Sequence, residues 1–153
     1  MIAKQHFIAI AFGAFLLGLS ALASEKNPVE RPLKGYGYAA GVFTLDETGA
    51  FIAYEAFGGG NWTHLGRCSA HAVGEANEAG VMELVVTMTA ANGDELRYAG
   101  SGPGDIVFIG GTGRFEHATG TATQDIDAVW TPGPAEDQLT VEMTFYTEGT
   151  LIY

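Results

Sequence analysis

The sequence predicts an all-β protein: an antiparallel up-and-down barrel of about eight strands, with a β-sandwich as the alternative. Three observations carry this. Glycine makes up 22 of the 153 residues and aromatics 11%, with only five prolines, a composition suited to strands and turns. Several segments alternate apolar and polar residues with the period of two that marks a half-buried strand. Beyond the first 23 residues, no window repeats apolar residues at helical spacing.

Taken from the N-terminus, the chain opens with a leader. Lys4 precedes the apolar run Phe7 to Leu19, which is short for a membrane span, and Ala21-Leu22-Ala23 puts small residues where a signal peptidase reads. Residues 1–23 are therefore expected to be a signal peptide cleaved after Ala23, giving a secreted or periplasmic protein with no membrane anchor. Residues 24–34, with Pro28 and Pro32, read as a linker, and residues 35–153 as one domain. "GYGYAAGVFTL" from Gly35, the turn "DETG" and "AFIAYEAF" form a hairpin pattern. "NWTHLGRCSAHAV" reads as a further strand, broken by "GEANEAG". In "VMELVVTMTA", Met82, Leu84, Val86, Met88 and Ala90 share one face, with Glu83, Thr87 and Thr89 on the other. Asn92-Gly93 suits a type I′ hairpin into "DELRYAGSG". "DIVFI", "DIDAVW" and the Pro132-Gly133-Pro134 loop follow, and in the last strand Leu139, Val141, Met143 and Phe145 alternate with Gln138, Thr140, Glu142 and Thr144.

Strands with one apolar face each, joined by short connections, bury those faces by closing on themselves or by stacking as two sheets. Closure also removes exposed sheet edges, and recurrent glycines such as Gly35, Gly37, Gly41 and Gly100 permit the strand coiling it needs. The barrel is thus preferred.

The stretch "GGTGRFEHATGTAT", Gly110 to Thr123, invites comparison with a phosphate-binding loop. It lacks the lysine and the following helix that such a loop requires. Gly110, Gly111 and Gly113 instead read as a chain reversal that uses positive φ, with Arg114 bonded to turn carbonyls, and Gly120 as a bulge or a tight strand approach. "GGTGRF" with "ATGTAT" behind it resembles the hairpin of allene oxide cyclase and dirigent proteins, the allene-oxide-cyclase-like barrels. "THLGR" at Thr63 to Arg67 and "AANGDEL" at Ala90 to Leu96 resemble segments of their bacterial secreted relatives. The resemblance spans about the latter two thirds of the domain. It implies an eight-stranded barrel with an apolar lumen, often trimeric in the plant members, so a homo-oligomer is an expected state. Those plant proteins steer cyclisation or coupling of small hydrophobic intermediates; none of their catalytic residues matches a position here.

The residues point to modest chemistry. The formal net charge is −11, and removal of Lys4 with the leader leaves six basic residues against eighteen acidic ones, which disfavours binding to nucleic acid or anionic lipid. No cofactor and no metal are expected: His64, His71 and His117 show no H-x-H or H-E-x-x-H spacing. On a continuous strand, His64 and His71 would face opposite sides. Cys68 is the single cysteine, so no intramolecular disulfide forms, and it reads as a small buried thiol. A ligand lumen is expected to draw on Phe51, Phe57, Met88 and Phe145, with Glu55 or Tyr98 as its polar contact and the weak candidates for catalysis. A lumenal Glu55 would be desolvated and able to act as an acid or base; in the opposite strand phase, Ile52, Tyr54 and Ala56 face inward and Glu55 is solvated, and the rarity of buried carboxylates favours that phase. The sequence is read as an exported noncatalytic barrel that binds a small hydrophobic molecule or serves as a structural module. A cyclase, isomerase or coupling guide acting on such a molecule is the alternative, and an oligomeric interaction protein is a third reading that an exposed apolar patch would favour.

Overall fold

A computed structural model describes residues 28–100 and 103–153; the expected leader and cleavage site lie outside the described residues. The strands are β1 (Glu30–Leu45), β2 (Phe51–Trp62), β3 (Gly66–Ala76), β4 (Met82–Ala90), β5 (Glu95–Gly100), β6 (Gly104–Gly111), β7 (Thr119–Pro132) and β8 (Gln138–Ile152). They pair antiparallel in sequence order, and β1 pairs β8 from Glu30↔Ile152 to Thr44↔Gln138, which closes the barrel. Closure gives every strand a neighbour on both sides, although Asp125–Pro132 of β7 pair with β8 alone. Residues 30–34, expected in the linker, are strand: they pair with β8, and Leu33 is fully buried.

Three hairpins at Asp46, Asn77 and Ala90 share one loop geometry. In each, the residue before the loop accepts a bond from a glycine three positions on, Gly49, Gly80 or Gly93, and that glycine has positive φ (84°, 75° and 87°). Such a three-residue loop is a type I turn completed by a left-handed glycine, so Asn92-Gly93 does not form the expected type I′ turn. Asp46 and Asn77 add side-chain bonds: Asp46 Oδ1 accepts from Thr48 N and Ala50 N, and Asn77 Oδ1 from Ala79 N and Val81 N. The segment read as one strand at "NWTHLGRCSAHAV" is split by a turn at Thr63–Leu65. His64 there has φ 71° and its Nε2 lies 3.0 Å from Pro32 O, so the strand-parity argument about His64 and His71 does not apply.

The inward face is the alternating one. Even-numbered positions of β2 to β7 and odd-numbered positions of β1 and β8 point into the barrel, including Leu84, Val86 and Met88 on β4 and Val141, Met143 and Phe145 on β8. One end is plugged. Leu33, Trp62, Leu65, Leu96, Phe115 and Leu151 fill it, each at most 5% exposed. Phe115 is delivered by a 3-10 turn, Gly113–Phe115, so "GGTGRF" is the plug of the barrel. Gly110 (φ 102°) and Gly113 (φ 57°) do adopt positive φ, whereas Gly111 does not. A β-carbon at Gly111 would instead collide with the backbone of Glu95, so this glycine permits close strand approach. Gly120 (φ 128°) sits against the Thr150 backbone in the same way. Arg114 bonds no turn carbonyl: its Nε lies 3.4 Å from Asp94 Oδ2 and its guanidinium stacks over Phe115 at 4.8 Å.

Candidate functional site

Above the plug, the barrel holds a cavity of about 260 Å³ that opens at the other end. Its cause is a mismatch in side-chain size around one hydrogen-bonded row. Gly41, Ala56, Ala72, Val86, Tyr98 and Phe108 are successive register partners from β1 to β6. The small residues of β1 to β3 therefore face the larger ones of β4 to β6 without reaching them. Ala39, Gly58 and Ala70 extend the small-residue wall, and Ile126, Met143 and Phe145 close the remaining side. Space left by alanine and glycine in an otherwise dense interior forfeits dispersion contacts that a guest molecule can restore.

The mouth carries aromatics. Phe43 stacks on Tyr54 with ring centroids 4.2 Å apart, and it touches Phe51 at 4.7 Å and Trp130 at 5.2 Å. Phe51 and Trp130 remain 40% and 47% exposed, so they form a rim rather than a lid.

The floor carries the polar groups. Gln124 on β7 and Tyr98 on β5 line it, and Thr147, the register partner of Gln124 on β8, is fully buried and bonds Gln124 without lining the cavity. Gln124 Nε2 donates to Thr147 Oγ1 at 3.2 Å and to Tyr98 Oη at 3.4 Å. All three residues are buried, and a buried amide without these bonds would cost several kcal/mol, about 1–3 on mutational scales. The Thr147 bond is at the long end of the usual range and the Tyr98 bond exceeds it. Burial holds the Tyr98 phenol above its ordinary range, against a smaller opposing effect of the Gln124 bond. Tyr54, whose hydroxyl faces Met143 Sδ at 3.9 Å, is pushed up to about 12, first by burial and then by the nearby Tyr98. At neutral pH both are hydrogen-bond donors. The described lining contains no carboxylate, imidazole or cationic side chain.

Of the residues expected to build the lumen, Phe145 and Tyr98 line this cavity. Phe51 stands on its rim. Met88 is 1% exposed within the packed core and does not line the opening. Glu55 and Phe57 face the opposite way, because β2 takes the phase that turns Tyr54 and Ala56 inward. Phe57 is 61% exposed and stacks on His71 (4.5 Å, 6°), and His71 Nε2 lies 2.9 Å from Glu55 Oε1. This pair belongs to the solvated outer wall and cannot serve a lumenal guest. Cys68 is buried with its Sγ 3.9 Å from Gly60 O, and burial raises its thiol pKa. Among the described residues no group of three or more His, Cys, Asp or Glu side chains is placed to hold a metal ion. Gln124 and Thr147 went unread although a signal existed: in "ATQDIDAVW", Ala122, Gln124, Ile126, Ala128 and Trp130 share one parity, which puts an amide on an apolar face.

No family model matches the chain, and no curated protein matches it. Among solved structures, the chain is similar to the pterocarpan synthase dirigent protein GePTS1, at 16% identity and a TM-score of 0.40, over 92% of this chain and 99% of that one. The barrel itself rests on the strand pairing described above.

Proposed function

We propose that the protein is an exported, noncatalytic barrel that holds one small hydrophobic molecule in its lumen. The observation that carries this is the cavity: apolar walls, one uncharged polar floor and an open aromatic rim, the combination that small-molecule sites present. A dry apolar cavity of about 150 Å³ accommodates benzene, so the larger space here suits a guest of about two fused rings. The proton-exchanging groups of the described lining are the two phenols, both held protonated, which favours holding or steering a guest over acid–base turnover. Titration with 2-ethylnaphthalene, followed by methyl NMR shifts of Leu84, Val86 and Met143, is expected to saturate. Ala72→Phe, which fills the small-residue wall, is expected to abolish the shifts. Absence of saturable binding to the wild type would leave the structural-module reading in its place. Export rests on the leader sequence, and mass spectrometry of secreted material is expected to find a chain beginning at Ser24.

A second reading is self-association through the outer wall. Tyr36 and Tyr38 are each 65% exposed on β1, and Tyr146, the register partner of Tyr36, is 42% exposed beside them. Aromatics clustered on a solvated wall mark contact surfaces. Sedimentation of the wild type and of a Tyr36→Ser/Tyr38→Ser variant tests this: a wild-type monomer removes the reading.

A further inference from the structure

Resting on the lumen reading above, we propose that Tyr98, set by Gln124 and Thr147, is a specificity residue that selects guests carrying one uncharged hydrogen-bond-accepting oxygen, such as a ketone, and that the lumen rejects carboxylates. The geometry assigns the donor. A primary amide nitrogen has two protons, and Gln124 Nε2 directs them at Thr147 Oγ1 and Tyr98 Oη. Tyr98 is thereby the acceptor in that bond, and among the described residues its hydroxyl makes no other hydrogen bond. Its own O–H proton is left to the cavity that the ring lines. A guest oxygen placed there would accept that proton and gain about the net worth of one neutral hydrogen bond.

The packing fixes where that proton can be met. Tyr98 is wedged between Trp62 (centroids 6.4 Å) and Phe108 (6.2 Å, edge-on), so its hydroxyl is held at the floor while the rest of the guest lies along the alanine wall toward the rim. A carboxylate in the same position would lose its hydration, meet one neutral donor and find no cation on the described lining, and desolvation then outweighs a single bond.

A matched set of guests tests this on the intact barrel: 2-ethylnaphthalene, 2-acetylnaphthalene and 2-naphthoate, titrated at pH 7 and followed by methyl NMR. In the wild type, the ketone is expected to bind about fivefold more tightly than its hydrocarbon isostere, the net worth of one neutral hydrogen bond. The carboxylate is expected to bind at least tenfold more weakly than the ketone. In Tyr98→Phe/Gln124→Leu, which removes the hydroxyl together with the amide that its loss would free, methyl NMR and circular dichroism report the fold directly, and the ketone is expected to lose its advantage over the hydrocarbon. A ketone no better than the hydrocarbon in the wild type, an advantage that survives in the folded double variant, or a carboxylate that binds like the ketone each overturns the assignment of Tyr98. In those cases the lumen reading still stands if Ala72→Phe blocks the hydrocarbon. Failure of all three guests to bind the wild type overturns the lumen reading itself.

Discussion

Gly111→Ala removes no polar group and adds one methyl, yet it should be among the most damaging single changes in the barrel. A β-carbon there is driven into the carbonyl oxygen of Glu95, with the Glu95 carbonyl carbon at 2.8 Å and Leu96 Cα at 3.1 Å. Carbon atoms pack at about 3.5–4.0 Å, so β5 must retreat from β6 by roughly 1 Å. The backbone atoms in its path cannot rotate away as a side chain would. Retreat breaks the bonds that pin this corner, Thr112 N to Glu95 O at 2.9 Å and Glu95 N to Thr112 Oγ1 at 3.0 Å. Two bonds at about 1 kcal/mol each, with strain of about 1 kcal/mol or more from overpacking, give a loss of about 3 kcal/mol. For a domain of this size, that lowers Tm by about 10 °C. The control is Gly49→Ala, where φ is 84° and nothing lies within 4 Å of the added carbon, so only the left-handed backbone term of about 1 kcal/mol applies. Thermal unfolding by circular dichroism measures both variants. Equal melting temperatures for the two, or a Gly111→Ala variant within about 0.5 kcal/mol of wild type, would refute the steric account of "GGTGRF".

Glu55→Gln should change stability by no more than about 0.5 kcal/mol and leave guest binding untouched, because its bond to His71 is solvated on both sides; chemical denaturation and the ethylnaphthalene titration check this. The Cys68 thiol should react with an aromatic disulfide reagent far more slowly in the native protein than in denaturant, since burial keeps it protonated; equal rates would contradict the packing around it. Tyr54 should titrate only near pH 12 by ultraviolet absorbance. Its raised phenol pKa contributes stability that is complete below about pH 10, the ordinary phenol value, and is lost as pH rises toward 12, so Tyr54→Phe should flatten the alkaline arm of the stability profile.

The legibility of the fold differs from strand to strand. On β4 and β8 the apolar and polar sets are separated, with Leu84, Val86 and Met88 against Glu83 and Thr87, and Val141, Met143 and Phe145 against Glu142 and Thr144. Such strands declare which face is buried. On β2 both sets are apolar: Phe51, Ala53 and Phe57 compete with Ile52, Tyr54 and Ala56, and Glu55 alone breaks the tie. The motif at Gly110 to Phe115 was legible as a reversal, but not as the plug that seats Phe115.

The sequence by itself determined the all-β class, an approximate strand count, most of the turns and the inward faces of β4 and β8, because period, glycine placement and amphipathicity are local properties of the chain. The tertiary structure decided the phase of β2, the outward placement of Glu55 and Phe57, and the existence of the cavity. Each depends on register between strands distant in the chain: Ala56 meets Gly41 and Ala72, and those small residues then face Tyr98 across the closed sheet. The polar floor arises in the same way, from Gln124 and Thr147 set opposite each other by β7–β8 pairing and reached by a tyrosine from β5. A period of two marks two faces but carries no sign, and only closure of the barrel assigns one of them to the interior.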